Sequence, residues 1–267
     1  MRAVGVSTGS YHGLGVKTED ALDRVHELDA DLVEIYIQGA AELEPQVVGD
    51  ITTRVQSNRT DVLAVHPYVF GWENLLFGSY ERQRIWARRH FEDYLRVCAD
   101  TGAEAYVSHG PPAHHVVRAD GTFEPHYVAT TRDLVSQAAG LGVRYCLENV
   151  SYGLLRTPAD LLRHQEAIPE LAYVVDFKSA WKAGFAPVDF LTPASVGSVH
   201  HTHVSFRDGG RYGQAARDEQ SGLDDPDVRA ALSVDVPHVL EIEATDADQV
   251  ATSLAAVRAA FGAETRL

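Results

Sequence analysis

The chain has 267 residues, and its 23 Lys and Arg against 38 Asp and Glu give a formal net charge of −15 at pH 7. Hydrophobic residues make up 45% and charged residues 23%, which is the composition of a globular protein with ample material for a core. Disorder and low complexity are excluded, and the negative charge disfavours a nucleic-acid partner, whose phosphates require a basic surface.

Cellular context is indicated by three features of the sequence. The two cysteines, Cys98 and Cys146, fall in a helical and a strand pattern, so a disulfide scaffold is not expected. The first residues enter an apolar strand pattern with no signal-peptide core before it. No apolar run approaches the roughly 18–20 residues needed to cross a bilayer. The sequence therefore predicts a cytoplasmic protein without a membrane segment.

Eight short apolar runs alternate with longer amphipathic stretches along the whole chain. Several runs are almost continuously apolar, which is typical of strands buried on both faces of a parallel sheet. The predicted strands are Ala3–Ser7, Leu32–Ile37, Val62–His66, Ala105–Ser108, Arg144–Val150, Ala172–Asp176, Ser198–Ser205 and Val239–Glu243.

Helix boundaries between these strands follow known terminal preferences. Thr18 is expected to cap the first helix, Pro158 to open the fifth, and Gly102 to end the helix over Tyr80–Asp100. The stretches after the second and sixth strands have weak patterns, and we expect one or both of their helices to be short or irregular. No Pro, Gly or Ser-rich linker interrupts the alternation. The sequence thus predicts an α/β fold, a single (β/α)₈ TIM barrel over residues 1–267.

Charged side chains stand near the carboxyl ends of seven of these strands. Such groups are costly to bury unless they are paired or bind a metal. A Glu, an Asp, a His and a Glu on the fifth to eighth strands suit Mn²⁺, Mg²⁺, Co²⁺ or Zn²⁺. The full set is Glu34, His66, His109, Glu148, Asp176, His201, His203 and Glu241.

Four segments resemble the xylose isomerase-like barrels, a superfamily of sugar epimerases and isomerases, inosose dehydratase and endonuclease IV-type enzymes. They are LENV at 147–150, DFKSAWKAG at 176–184, HHTHVSF at 200–206 and VLEIE at 239–243. The resemblance implies metal ligands at Glu148, Asp176, His203 and Glu241, with Glu243 as the alternative on the last strand. It also implies that Glu148 and Glu241 transfer the proton, isomerising or epimerising a sugar or sugar-derived ketone through a metal-bound enediolate.

No organic cofactor is expected, because no G-x-G-x-x-G motif follows a predicted strand. The predicted partner is a small sugar or polyol derivative, and the resemblance allows a homodimer or a homotetramer.

Substrate contacts are expected to differ from those of familiar ketose 3-epimerases. Ser179 stands where the family usually has a His, and Phe206 where an Asp is common. Gly209 stands at the position of an expected Arg. The candidate substrate-binding residues are His12, Glu34, Lys178, Ser179, His201 and Arg207.

A second reading places another metal ion in the same barrel. In endonuclease IV-type enzymes, histidines ending the third and fourth strands join the strand-five Glu, and His66 and His109 match them. The third metal site of that type is incomplete, because Ser179 replaces its His and the loop after strand seven offers only Asp218, Glu219 and Gln220. DNA repair is therefore disfavoured, while a dinuclear hydrolase or a metal-dependent lyase such as a dehydratase stays open. A non-catalytic barrel is disfavoured by its four matched ligands.

Overall fold

A computed structural model describes residues 3–68 and 71–264. Eight parallel strands close into a barrel in the order β1-β10-β7-β6-β5-β4-β3-β2. The predicted (β/α)₈ barrel is therefore confirmed, although residues 1–2, 69–70 and 265–267 of the predicted domain lie outside the described residues. The barrel strands are β1 Val4–Ser7, β2 Leu32–Tyr36, β3 Val62–His66, β4 Ala105–Ser108, β5 Arg144–Glu148, β6 Ala172–Asp176, β7 Val199–Val204 and β10 His238–Leu240.

Helices follow the strands and pack against the outside of the barrel. They are α1 Thr18–Glu27, α2 Pro45–Asn58, α3 Glu81–Thr101, α4 Pro125–Ala139, α5 Pro158–Ala167, α6 Phe177–Lys182, α7 Ser221–Asp224, α8 Pro226–Leu232 and α9 Ala247–Glu264. Gly102 ends α3 in the left-handed conformation with φ of 74°, as predicted. Pro158 opens α5 behind a capping box formed by Thr157 and Asp160, which confirms that start.

One helix prediction requires correction. Thr18 is the first helical residue rather than the cap, because its Oγ1 donates to the carbonyl oxygen of Tyr36 (3.2 Å) and to the carboxylate of Glu42. The helix after the second strand, α2, is a regular one of 14 residues, whereas α6 has only six. The expectation that at least one of these two helices is short is therefore confirmed.

A hairpin absent from the predicted elements follows β7. Its strands β8 (Phe206–Asp208) and β9 (Arg211–Gln214) pair antiparallel. Gly209 and Gly210 connect them with φ of 55° and 84°, the positive values that a tight two-residue hairpin loop requires. The Asp-Gly-Gly sequence at 208–210 is the local signal for this turn.

The inside of the barrel has two successive layers, one of small apolar side chains and one of polar side chains. Small buried residues form a separate cluster on the inner wall, namely Ala64, Ala105, Val107, Cys146 and Val174. Because strand side chains alternate with a period of two, Glu148 and Asp176 follow Cys146 and Val174 on the same inner face. The polar side chains therefore form the next layer toward the carboxyl ends of the strands. Cys98 and Cys146 are both buried and free, as predicted.

None of the helices described here is long and apolar enough to cross a membrane.

His164 on α5 gives a pH-dependent contribution to stability. It is fully buried, with Nδ1 2.7 Å from the carbonyl oxygen of Asp160 and Nε2 3.1 Å from the hydroxyl of Tyr127. Burial lowers the pKa of His164 to about 4, against roughly 6.5 for an unperturbed histidine. The neutral form therefore stabilises the fold fully above pH 6.5, and this contribution declines as pH falls toward 4.

We expect the difference in unfolding free energy between the wild type and His164→Leu to shrink by about 3 kcal/mol from pH 7 to pH 4. Urea unfolding of both proteins across this range measures the difference. A difference that stays constant with pH would contradict the assignment of the buried neutral imidazole.

Candidate active site

A cavity of about 310 Å³ opens at the carboxyl ends of the barrel strands. This is the end at which TIM-barrel enzymes carry their active sites. Its polar lining consists of His12, His66, His109, Glu148, Ser151, Asp176, Lys178, Ser179, Lys182, Glu241 and Glu243.

A larger depression of about 720 Å³ lies elsewhere and includes His114, His115 and Arg84 in its lining. No carboxylate lines it among the described residues, and none of its histidines belongs to a group of side chains that could hold a metal ion.

Three of the four predicted metal ligands, Glu148, Asp176 and Glu241, line this smaller cavity, and the fourth, His203, is buried next to them. One ligand atom from each of Glu148, Asp176, His203 and Glu241 lies within 4.8 Å of every other. His203 Nδ1 is 3.1 Å from Glu148 Oε1 and 3.2 Å from Glu241 Oε2. Asp176 pairs with His203 in the β6–β7 register, which places the two side chains on neighbouring strands.

Asp176 presents a buried oxygen that has no hydrogen-bond partner. Its Oδ1 accepts from the backbone N–H of Ser179 at 2.7 Å, while its Oδ2 is left unsatisfied. Burial, together with the charges of Glu148 and Glu241, raises the pKa of Asp176 to about 6, although Lys178 opposes the rise. Crowded carboxylates with an orphaned oxygen fit a bound divalent cation, which the described residues could hold through oxygen and imidazole ligands.

Glu34 holds the ring of His203 from the side away from the cavity. Its Oε2 is 2.9 Å from His203 Nε2, and the side chain is fully buried. Burial opposes ionisation, but the positive charge of His203 and hydrogen bonds from His201 and His203 lower the pKa of Glu34 well below its usual range. An acceptor on Nε2 leaves Nδ1 to face the other ligands, as in carboxylate–histidine–metal arrangements.

The charge on His203 reflects the same geometry. Burial disfavours the imidazolium, yet the carboxylates of Glu34, Glu241 and Glu148 raise the pKa of His203 well above its usual value. The proton on Nδ1 then lies between the two glutamates, where a divalent cation would replace it.

A second group of ligand atoms includes the other carboxylate oxygen of Glu148. The Nε2 atoms of His66 and His109 are each 3.2 Å from Glu148 Oε2. His66 Nδ1 lies 3.0 Å from the carbonyl oxygen of Pro67, and His109 Nδ1 lies 2.9 Å from Glu73 Oε2. Each Nδ1 atom faces an oxygen that can only accept, and therefore donates to it. The Nε2 atom on the other side of each ring faces Glu148. Three potential ligands therefore converge, as a second cation would require.

Glu73 is a site residue that the sequence did not predict. This buried carboxylate accepts from Ser108 Oγ at 2.7 Å and Tyr106 OH at 3.3 Å, besides His109 Nδ1. Although burial opposes it, the hydrogen bond and charge of His109 lower the pKa of Glu73. The available signal is a single acidic residue inside the mainly apolar run WENLLF at 72–77.

Three of the predicted substrate contacts line the cavity. His12 Nδ1 is 3.0 Å from Gln38 Oε1, and Lys178 and Ser179 lie on the first turn of α6. Burial lowers the pKa of Lys178, but the carboxylates of Glu241 and Asp176 outweigh this effect and raise it. Lys178 therefore brings a positive charge close to the carboxylates of the cavity.

The other three predicted substrate contacts lie outside the cavity. Glu34 and His201 are fully buried one layer deeper in the barrel, where His201 Nε2 is 3.3 Å from Glu34 Oε2. Arg207 is held by Asp225 at 2.6 Å and Asp227 at 3.0 Å. None of these three side chains lines the cavity. The expectation that they contact a substrate is therefore not supported.

The geometry favours Glu241 over Glu243 as the candidate metal ligand near the end of the last strand. The strand ends at Leu240, earlier than predicted, so both glutamates lie in the segment that follows it. Both line the cavity, but within the described residues only Glu241 joins the four-ligand group. Glu243 instead lies beside the hairpin, where its backbone N–H donates to the carbonyl oxygen of Gly213 at 2.8 Å.

Solved structures share this architecture along the whole chain. A D-tagatose 3-epimerase-like protein is 17% identical, with a TM-score of 0.75 and coverage of 99% of this chain and 98% of that one. The 3-keto-D-glucoside 4-epimerase YcjR from E. coli is 17% identical, with a TM-score of 0.67 and coverage of 97% and 100%. The probable 3-DHS dehydratase AsbF from Bacillus anthracis is 14% identical, with a TM-score of 0.68 and coverage of 97% and 99%. Identities this low show a common fold.

No curated protein sequence matches the chain significantly. The sequence model of one family, described as the xylose isomerase-like TIM barrel, matches residues 22–259. That match spans most of the chain and agrees with the closed parallel barrel. The chain therefore belongs to the xylose isomerase-like TIM barrel family.

Proposed function

We propose that the protein is a divalent-metal-dependent isomerase or epimerase that moves a proton at a carbon beside the carbonyl of a sugar or sugar-derived ketone. The observation that carries this proposal is the pair Glu148 and Glu241, whose carboxylates both contact Nδ1 of His203, at 3.1 and 3.2 Å, and line one cavity. Two carboxylates at one site can remove a proton and return it. The presence of epimerases among the proteins of similar structure supports the same class of reaction.

Glu148, Asp176, His203 and Glu241 are the residues that would hold the metal ion. A bound divalent ion supplies Lewis-acid stabilisation of negative charge on the oxygens of the substrate. Glu34 orients the imidazole of His203 for this purpose through the 2.9 Å contact at Nε2.

Both glutamates are ionised, as the removal of a proton from the substrate requires. Burial opposes this, but hydrogen bonds from His203 and His66 lower the pKa of Glu148 well below its usual range. The charge and hydrogen bond of His203 likewise lower the pKa of Glu241. One carboxylate takes the proton, the C–H electron pair forms a C=C bond, and the carbonyl electrons move to oxygen. A positioned acid or base of this kind contributes about 10²–10⁴ in rate.

A substrate panel tests the proposal. The apoprotein is reconstituted with Mn²⁺, Mg²⁺, Co²⁺ or Zn²⁺ and incubated with ketoses, aldoses and cyclitol ketones, and products are identified by NMR. We expect interconversion of an epimer or isomer pair that stops on chelation and returns with metal. Loss of water from a cyclitol ketone would identify a dehydratase, which starts with the same proton removal. Absence of any conversion across the panel would count against the proposal.

A dinuclear hydrolase acting on a small molecule is the second candidate. The convergence of His66 Nε2, His109 Nε2 and Glu148 Oε2 favours it, because Glu148 could then bridge two ions. The metal stoichiometry distinguishes the two arrangements: two ions per chain support the second site, and one ion per chain supports the mononuclear centre. A barrel that serves only as a scaffold should bind no stoichiometric divalent ion.

The carboxylates behind the two histidines provide a matched pair of variants. We expect Glu73→Gln to weaken binding at the His66–His109 site by about 10–100-fold, because Glu73 orients His109. Glu34→Gln should weaken binding at the four-ligand site by a similar factor, because Glu34 orients His203. Chelator competition on both proteins measures the two affinities. An unchanged affinity in both variants would contradict the assigned orienting roles.

A further inference from the structure

Lys178 is a partly buried cation that has no part in the proton transfer proposed for Glu148 and Glu241. It lies two residues after Asp176 at the start of α6 and lines the cavity together with Glu241 and Glu243. Within the described residues, its ammonium makes no ion pair or hydrogen bond. Lys182 lines the same cavity one turn later but is exposed. Lys178 is thus the lysine whose donors are placed to meet a ligand inside the cavity.

The hairpin after β7 lies against the stem of this lysine. Gly213 has φ of +79°, and a Cβ placed on it would lie 2.7 Å from Lys178 Cδ and 3.3 Å from Glu243 Oε1. A side chain at residue 213 would therefore displace the stem of Lys178, and the positive φ also favours glycine there. The carbonyl oxygen of Gly213 accepts from the backbone N–H of Glu243 at 2.8 Å, which ties the hairpin to the loop carrying both glutamates.

We propose that Lys178 is a catalytic residue that donates a hydrogen bond to the substrate oxygen on which negative charge develops, and that Gly213 is its positioning residue. This role rests on the proposed proton transfer. When a carboxylate removes the proton, the C–H pair becomes the C=C bond and the former carbonyl oxygen gains the charge. A fixed ammonium near that oxygen stabilises the transition state more than the neutral ketone, and so acts mainly on kcat.

Substitution of the ammonium gives the first test. We expect Lys178→Met to lower kcat by about 10²–10³-fold, with KM changed less than about threefold and metal content unchanged. A kcat within threefold of the wild type at full metal content would overturn the role of Lys178. If the wild type isomerises a sugar and the variant does so equally well, only this inference fails and the proposed function stands.

Two glycines of the same hairpin give a matched control. Gly210 has φ of +84°, similar to Gly213, but a Cβ placed on it would have no neighbour within 4 Å. Alanine strains the backbone at both positions, whereas only Gly213→Ala displaces Lys178. We expect Gly213→Ala to lower kcat at least tenfold, Gly210→Ala to change it less than threefold, and Gly213→Ala to add no further loss to Lys178→Met. An equal loss in both glycine variants, or full additivity, would overturn the positioning role.

A binding measurement tests Lys178 without turnover. The probe is a four-carbon sugar hydroxamate, a planar analogue of an enediolate, titrated calorimetrically into Mn²⁺-loaded protein. We expect binding to the wild type and at least tenfold weaker binding to Lys178→Met, with the affinity for the neutral polyol xylitol changed less than threefold. Equal hydroxamate affinity in both proteins, or none in the wild type, would contradict the proposed contact even if no natural substrate is found.

Discussion

Asp176→Asn is expected to lose the bound divalent ion and to lower activity by about 10³-fold or more, because one of four ligands becomes neutral. The orphaned Oδ2 of Asp176 is the buried oxygen with the clearest need for a cation. Asparagine keeps an acceptor for the Ser179 N–H, so the cap of α6 survives and the fold should remain intact. Asp176→Ala removes both the ligand and the cap, and should lose the metal with an additional cost of about 1 kcal/mol in stability.

Elemental analysis and thermal unfolding of the purified variants measure these effects. Asp189→Asn is the matched control, because Asp189 is an exposed capping aspartate of a short 3₁₀ helix outside the cavity. It should keep both metal and activity. A metal content unchanged from that of the wild type in both Asp176→Asn and Asp176→Ala would show that the ligand assignment is wrong.

Glu148→Gln and Glu241→Gln are each expected to lower kcat by about 10²–10⁴-fold, since the amide cannot accept the proton. Glu148 also contacts His66, His109 and His203, so its replacement should weaken metal binding more than that of Glu241. Product formation by NMR and metal content are measured on the same preparations.

Glu243→Gln is the control for this pair, because Glu243 lines the cavity but lies outside the four-ligand group. It should change kcat less than tenfold and keep the metal. Loss of metal in Glu243→Gln, with Glu241→Gln unaffected, would transfer the ligand and proton-transfer roles to Glu243.

The barrel and the convergence of four ionisable side chains could be predicted because both depend on local patterns. Apolar runs of four to eight residues locate the strands, and the polar residues at their ends indicate the end of the barrel at which TIM-barrel enzymes carry their active sites. The depth at which a side chain lies within the barrel is harder to predict from the sequence. His201 and His203 share one inner face, yet two residues along a strand move a side chain by about 7 Å, which is one layer. His201 and Glu34 therefore contact His203 from within the barrel, where the sequence suggested substrate contacts.

Glu73 and Gly213 could not be predicted, because their roles arise from loops that meet strands distant in sequence. Glu73 contacts His109, which lies 36 positions further along the chain. Gly213 lies against Lys178 from a hairpin of which only the turn has a signal in the local sequence. Arg207 is a similar case, since its pairing with Asp225 depends on the packing of α8. Contacts of this kind follow from tertiary packing rather than from periodicity or spacing.

The most direct test of the central claim is the fate of a substrate proton in D₂O. Metal-loaded protein is incubated in D₂O with the sugar that it converts, and the recovered sugar is examined by NMR and mass spectrometry. Proton transfer by Glu148 and Glu241 predicts deuterium at a carbon beside the carbonyl, greatly reduced in both glutamine variants. Hydrolysis of an ester or phosphodiester with no deuterium in any carbon would contradict that mechanism and favour the dinuclear hydrolase.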